Sequence, residues 1–226
     1  MEVKIKELRK EYKNQIVLDD VSFNIKSGEV CGLVGINGAG KSTLMKILMG
    51  IISKTSGHIY INNEEWSRRD LGEMGAIIES PPIYGNLNAY DNLKVKALVN
   101  NVGDERIVEV LKIVDLENTK KKSENYSMGM KMRLGIGMAI LHRPKFLILD
   151  EPTNGLDPVG IKDLKELIKS LSNEGVSILI SSHQLKDVAE VSDHIVMINK
   201  GKISYDGPCT STEELEKEFF MIVNRG

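Results

Sequence analysis

The sequence predicts an α/β fold in which a mostly parallel sheet is flanked by helices. Three short, mainly apolar runs, at 30–34, 146–149 and 176–180, are typical of buried strands, and the run at 146–149 is unbroken. Elsewhere apolar residues recur at helical spacing, as in the segment 107–114. Covered strands that alternate with amphipathic helices are typical of a parallel sheet.

Composition and charge narrow the classes of function. The chain has 226 residues, is 41% hydrophobic and carries a net charge of −2. A single domain with a substantial core is therefore expected, and nothing calls for a nucleic-acid partner. Cys31 and Cys209 have no metal-ligand spacing, which favours a reduced, cytosolic protein. Neither a signal-peptide core nor a membrane-length apolar run is present, so we expect any membrane role to come through a partner.

The N-terminal part of the chain, residues 3–26, is expected to be β structure. Val21, Phe23 and Ile25 alternate with polar residues, as in a strand that is buried on one face. Tyr12 lies in a polar stretch between two strand-like pieces. It is either an aromatic residue at a sheet edge or a face on which a purine stacks, and the residues alone leave both interpretations open.

A phosphate-binding loop follows the 30–34 strand. Residues 35–43, Gly-Ile-Asn-Gly-Ala-Gly-Lys-Ser-Thr, fit the pattern G-x-x-x-x-G-K-[ST]. We expect a helix over 43–49 that ends at Gly50, because apolar residues recur there at helical spacing. A chance match in a glycine-rich turn is the alternative, but the strand before the loop and the helix after it are the context that the motif requires.

The residue types of this loop suit a triphosphate. Gly35, Gly38 and Gly40 let the backbone turn its N–H groups toward phosphate oxygens. The N-terminus of the following helix favours negative charge at the same place. The Lys41 ammonium can reach the β- and γ-phosphates, and the Ser42 hydroxyl can ligate Mg2+.

The middle of the chain is predicted to change from strands to helices. After a loop at 53–57, we expect strands at 58–61 and 75–78. Two consecutive prolines then break the chain, so 79–90 is expected to be an exposed loop. The residues from 88 to 142 are predicted to be helical.

Three further groups of polar residues are candidates for a site. Asp150 and Glu151 follow one buried strand, and ligands in open α/β sheets bind at the carboxyl ends of strands. A helix N-cap would explain only one of these two carboxylates. His183 follows another strand. A lone histidine is more often structural, but its position at the carboxyl end of a strand favours a functional role. Ser127 and Gly129, at a helix start, form a second end that can bind an anion.

The C-terminal part is predicted to hold a helix, a hairpin and a last short helix. The helix ends at Gly175. The hairpin joins 195–198 to 202–205 around Lys200-Gly201, and a capping box at 211–214 begins the last helix. No internal repeat or linker divides the chain.

These motifs together resemble the nucleotide-binding subunit of an ABC transporter. The phosphate loop, the strand that ends at Asp150-Glu151 and the serine-glycine segment before it carry the resemblance, which covers essentially the whole chain. The 109 positions from Lys41 to Asp150 leave room for the helical lobe of such subunits. The resemblance implies a P-loop NTPase core with an N-terminal antiparallel β subdomain and an inserted helical subdomain at about 85–140, within one nucleotide-binding domain, 1–226.

The resemblance also implies ATP and Mg2+ as cofactors and assigns roles to single residues. Tyr12 would stack on adenine, and Asp150 would hold Mg2+ together with Ser42. Glu151 would polarise the attacking water, and His183 would contact the γ-phosphate. The residues that would wrap the phosphates are Gly35, Asn37, Gly38, Ala39, Gly40, Lys41, Ser42 and Thr43. Those that would act across a dimer interface are Ser127, Gly129 and Asp157.

Two departures from the family pattern stand out. Where the family usually reads Leu-Ser-Gly-Gly-Gln, residues 126–130 read Tyr-Ser-Met-Gly-Met. The loop after Ile78 usually opens with Gln, and here it opens with Glu79, a carboxylate that can ligate Mg2+ or orient water. Glu79 followed by proline and by Tyr84-Gly85-Asn86-Leu87 resembles exporters that protect bacteria against lantibiotic and bacitracin-type peptide antibiotics.

The resemblance further implies partners and a location. Two copies would form a homodimer, and the 79–90 loop would contact a membrane-spanning permease subunit, with no nucleic acid involved. The subunit would be cytoplasmic and peripheral on the inner face of the cell membrane. Alternatives stay open: an ABC ATPase that exports another substrate, a soluble non-transport ABC ATPase, a module that holds ATP without cleaving it, and an unrelated phosphate-loop kinase.

Overall fold

The computed structural model describes residues 1–224 and contains two sheets. The first is antiparallel, with the strand order β2-β1-β4-β5. Its strands are β1 (Val3–Tyr12), β2 (Gln15–Ile25), β4 (Ser56–Ile61) and β5 (Glu64–Glu65). Val21, Phe23 and Ile25 are buried on one face of β2, as their alternation predicts.

The second sheet has six strands in the order β10-β9-β3-β8-β7-β6. Its strands are β3 (Val30–Val34), β6 (Met74–Ile77), β7 (Phe146–Leu149), β8 (Ser177–Ser182), β9 (His194–Asn199) and β10 (Lys202–Pro208). All neighbours are parallel except β9 and β10, which form the predicted antiparallel hairpin. Every residue of β3, β7 and β8 is buried, including three serines of β8, which confirms the prediction that these strands are buried.

Within the described residues, seven α-helices accompany the sheets. They are α1 (Lys41–Leu48), α2 (Ala89–Asn100), α3 (Asp104–Ile113), α4 (Met128–Ile140), α5 (Pro158–Asn173), α6 (Leu185–Ala189) and α7 (Thr212–Asn224). Helices α2, α3 and α4 pack on one another. Among residues 1–224, no helix combines the length and the hydropathy needed to cross a bilayer.

The parallel sheet separates two hydrophobic cores, because successive strand residues point to opposite faces. Leu33 and Ile148 join the core that includes α1 and the antiparallel sheet. Val34 and Leu149 join the core that includes the helices from α2 to α7. The carboxyl ends of the parallel strands therefore lie between these two cores, at one edge of the sheet.

Several predicted boundaries are wrong by a few residues. Helix α1 begins at Lys41 rather than at residue 43. Strand β4 begins at Ser56, inside the predicted 53–57 loop, because it pairs with the far end of β1. Strand β6 covers Met74–Ile77 instead of 75–78, and β8 covers Ser177–Ser182 instead of 176–180.

The region predicted to be helical from 88 to 142 is helical but interrupted. Three α-helices occupy it, and residues 114–127 lie outside them. Helix α2 begins at Ala89, which lies inside the predicted 79–90 loop, because the Asn88 side chain caps it by accepting from the Asp91 N–H at 2.9 Å.

Candidate active site

The phosphate loop connects the end of β3 to the start of α1, as predicted. The Gly35 N–H donates to the Ser182 carbonyl at 3.3 Å, which fixes the loop to the end of β8. A Cβ at Gly35 would lie 2.4 Å from the Ile198 carbonyl oxygen, so no larger residue fits. Gly40 has φ +114°, a backbone conformation that favours glycine. The loop therefore needs glycine for close approach at Gly35 and for conformation at Gly40.

The Lys41 side chain is buried at the centre of the site. It is 6% exposed, and its Nζ donates to the Gly35 carbonyl at 2.6 Å and more weakly to the Ile36 carbonyl at 3.4 Å. The same Nζ lies 3.1 Å from Glu151 Oε1. A buried ammonium needs such partners, because an unpaired buried charge is costly.

Glu151 connects Lys41 to His183. Its Oε2 lies 2.7 Å from His183 Nδ1 and accepts from the His183 N–H at 3.3 Å. Burial alone would raise the pKa of Glu151, but hydrogen bonds from His183 and Lys41 outweigh it and lower that pKa. Glu151 is therefore an ionised carboxylate between two groups that carry N–H donors.

Asp150 is buried beside Glu151 and is held by β8. It is 4% exposed, and its Oδ1 accepts from the Ser181 hydroxyl at 2.7 Å. The Glu151 N–H donates to the same Ser181 oxygen at 2.9 Å. Both carboxylates lie at the carboxyl end of β7, where the sequence predicted them.

Glu79 lies after β6 and pairs with a lysine of α1. Its carboxylate is 2.5 Å from Lys46 Nζ, and its backbone has φ +68°. The hydrogen bond to Glu79 is the main cause of a raised pKa for Lys46, and the charge of Asp150 adds to it. Lys46 therefore lies within electrostatic range of both Glu79 and Asp150.

Tyr12 is the last residue of β1, and its ring is 44% exposed. Lys10 Nζ lies 4.4 Å from the centroid of that ring. Lys10 lies over one face of the ring, and an exposed aromatic ring can stack on another π system.

A second cluster joins the starts of α4 and α5. Ser127 caps α4 by accepting from the Met130 N–H at 3.2 Å, and Asp157 caps α5 by accepting from the Gly160 N–H at 2.8 Å. A Cβ at Gly129 would lie 3.9 Å from the Gly160 Cα, so the two helix starts are adjacent. The structure thus brings Ser127, Gly129 and Asp157 together.

This second cluster is separate from the first. Across residues 1–224, no hydrogen bond or ion pair joins Ser127, Gly129 or Asp157 to Lys41 or Glu151. One chain therefore carries two groups of predicted residues that no hydrogen bond or ion pair joins among residues 1–224.

Sequence reasoning missed several polar residues that support the site. The Ser181 hydroxyl joins the Asp150 carboxylate to the backbone N–H of Glu151, and Lys46 pairs with Glu79. Thr153 donates to Asp187 at 3.0 Å, which ties the loop after Glu151 to α6. No motif marks these residues, but the position of Ser181 at the end of a predicted parallel strand was a usable signal.

Comparisons with known proteins agree with this geometry. The family model described as ABC transporter matches residues 18–154. The lantibiotic transport ATP-binding protein SrtF of Streptococcus pyogenes is 49% identical over 218 residues, which cover 96% of this chain and 95% of SrtF. The bacitracin transport ATP-binding protein BcrA of Bacillus licheniformis is 41% identical over 96% of this chain and 73% of BcrA.

A solved structure gives the same result for the fold. It is described as cbiO1 from Clostridium perfringens, part of the ABC transporter complex cbiONQ. It superposes with a TM-score of 0.86 at 29% identity and covers 99% of this chain and 94% of that one. This likeness confirms the predicted P-loop NTPase core with its additional antiparallel sheet. The chain therefore belongs to the ABC transporter family, as one of its nucleotide-binding, ATP-hydrolysing subunits.

Proposed function

We propose that two copies of this chain bind two Mg·ATP head to tail and hydrolyse them to power export of a peptide antibiotic of the lantibiotic or bacitracin type, for resistance or self-immunity. The names of the relatives SrtF and BcrA, a lantibiotic and a bacitracin transport protein, support the substrate class. The departure at Glu79, which resembles that group of exporters, is a second support.

One observation carries the proposed chemistry: the chain of contacts from the buried Lys41 through the partly buried Glu151 to His183. In the proposed reaction the ionised Glu151 carboxylate accepts a hydrogen bond from the attacking water and orients it toward the γ-phosphorus. The Lys41 ammonium neutralises charge on the β- and γ-phosphate oxygens. His183 donates to the γ-phosphate oxygens, which lets it respond when that phosphate leaves.

The donor chemistry of the site suits Mg2+. Asp150 and Ser42 offer carboxylate and hydroxyl oxygens, and Mg2+ usually binds one or two carboxylates together with substrate phosphates. Among residues 1–224, no cluster of three or more His, Cys, Asp or Glu side chains could hold a metal by itself. We propose that Asp150 and Ser42 hold Mg2+, with Glu79 as a further ligand, and that the ion neutralises phosphate charge.

Binding of the nucleotide is assigned to the phosphate loop and to Tyr12. The backbone N–H groups of the residues from Gly35 to Thr43 wrap the phosphates at the N-terminus of α1, which favours negative charge. The exposed Tyr12 ring stacks on adenine.

The second cluster is assigned to the nucleotide held by the other copy. Ser127 and Gly129 form a helix start that offers N–H groups to an anion, and Asp157 reaches across the interface. Exposed apolar side chains beside the two clusters support an interface: Ile36 is 40% exposed, Met128 49% and Val159 65%.

The permease contact is assigned to the 79–90 loop and the groove next to it. The groove has a volume of about 940 Å³ and lies between β6, α2 and α4, with Ile51, Tyr84 and Val99 exposed on its walls. Its apolar walls suit an amphipathic helix of a membrane subunit.

On this proposal residues 1–226 act as one domain, and the helical subdomain is about 85–140. The protein is cytoplasmic and peripheral on the inner face of the cell membrane.

A turnover assay with one variant and one control tests the proposal. Glu151→Gln should bind ATP but release phosphate far more slowly than the native protein, while Glu117→Gln, an exposed glutamate on the surface, should keep the native rate. Native turnover by Glu151→Gln would show that this carboxylate has another role.

For the substrate class, cells that carry this chain and its permease should tolerate a lantibiotic or bacitracin, and should lose that tolerance with Glu151→Gln.

A further inference from the structure

Ser181 occupies a special position in the parallel sheet. The last paired residues of β7 and β8 are Leu149 and Ile180. The residues that follow them, Asp150 and Ser181, therefore lie side by side. Ser181 is completely buried. Its hydroxyl donates to Asp150 Oδ1 at 2.7 Å and accepts from the Glu151 N–H at 2.9 Å. One oxygen atom thus contacts both carboxylate residues.

The backbone of Glu151 explains why this contact matters. Glu151 has φ +50°, a left-handed conformation that a residue with a side chain seldom adopts unless its surroundings fix it. This turn directs the carboxylate back toward Lys41 and His183 instead of continuing the strand. The hydrogen bond from the Glu151 N–H to the Ser181 hydroxyl fixes the backbone where this turn begins.

We propose that Ser181 is a positioning residue for ATP hydrolysis, whose hydroxyl fixes Asp150 and Glu151 relative to each other. The inference rests on the proposed roles of those two carboxylates. Without the hydroxyl, Asp150 loses a buried donor and the Glu151 N–H loses its acceptor, so both carboxylates can move from their places. Ser181 itself does not touch the reacting atoms.

Ser177 provides a matched control at the other end of the same strand. It is also completely buried. Its hydroxyl donates to the Met1 carbonyl at 2.7 Å and accepts from the Gly28 N–H at 2.8 Å and from the Met1 ammonium at 3.2 Å. Ser177→Ala therefore removes an equally buried hydroxyl, with one more hydrogen bond than that of Ser181, that lies away from the carboxylates. A purely structural role of Ser181 would make the two alanine variants behave alike.

The kinetic test compares Ser181→Ala, Ser177→Ala and Ser181→Thr. We expect Ser181→Ala to lower kcat about tenfold, as is usual when a residue that orients a site residue is lost, with KM for ATP within about twofold. Ser177→Ala should keep kcat, and Ser181→Thr, which retains the hydroxyl, should recover most of it. Equal kcat in Ser181→Ala and Ser177→Ala would overturn the proposal.

A second measurement does not need turnover. In nucleotide-free protein, amide hydrogen exchange at Glu151 should become at least about tenfold faster in Ser181→Ala, because its acceptor is gone. The Asp150 amide donates to the Ile77 carbonyl at 2.9 Å and should keep its exchange rate. Unchanged exchange at Glu151 would overturn the proposal. If the native protein hydrolyses no ATP, the proposed function fails, and this measurement still decides the role of Ser181.

Discussion

Glu151 concentrates opposing effects in one residue. Burial disfavours its charge, whereas the hydrogen bonds from His183 and Lys41 favour it, and the second effect wins, so the pKa is lowered. Its left-handed backbone is the geometric requirement for these contacts. The contacts with Lys41 and His183 therefore stabilise the fold and also place the carboxylate for the proposed chemistry.

A prediction for pH follows from the lowered pKa of Glu151. A carboxyl whose pKa is lower in the folded than in the unfolded chain stabilises the fold when the pH is above its ordinary pKa of 4.5. That stabilisation disappears as the pH falls through the folded pKa. The unfolding free energies of the native protein and Glu151→Gln should therefore differ at pH 7 and converge below pH 4.5, as measured by urea denaturation. A difference independent of pH would contradict the lowered pKa.

Glu79 is the second residue with a specific prediction. Glu79→Gln should still support ATP hydrolysis, because glutamine is the usual residue there in the family that this chain resembles. Both partners of the Lys46 pair are partly exposed, so its loss should change the unfolding free energy by less than about 1 kcal/mol. Phosphate release and urea denaturation measure the two effects. Loss of nucleotide-dependent dimerisation would instead assign the carboxylate a structural role.

At the scale of elements, the side chains at the starts of α4 and α5 cap these helices, in addition to their proposed role at the dimer interface. Asp157 caps α5, so Asp157→Ala should lower the unfolding free energy by about 1 kcal/mol, while Asp157→Asn, which keeps a capping oxygen, should change it little. Urea denaturation of both variants provides the measurement. If both variants lose the same unfolding free energy, the Asp157 side chain does not stabilise the fold by capping α5.

The elements that the sequence predicted well have strong local signals. The phosphate loop, the buried strands and the β9–β10 hairpin each combine a hydrophobic pattern with turn residues. Helix α6 was not predicted, because its five residues are too few to show helical periodicity. The start of β4 depends on pairing with a distant strand, which local patterns do not contain.

At the scale of the whole molecule, the candidate site was only partly predictable. Lys41, Glu151 and His183 were expected from motifs and strand ends, and the structure brings them into contact. Ser181 and Lys46 were missed, because their partners are 31 and 33 positions away and meet them only through sheet register and folding. Separation of the two clusters within one chain agrees with the proposed use of two chains.

The central claim is that two copies close head to tail on nucleotide, and one measurement tests it most directly. Sedimentation of Glu151→Gln should give a monomer without nucleotide and a dimer with Mg·ATP. Adding Ser127→Ala to that variant should weaken the dimer, because the second cluster then loses an oxygen that, in the proposed dimer, faces the other chain's nucleotide. A Glu151→Gln protein that binds Mg·ATP and remains monomeric at every protein concentration would contradict the account.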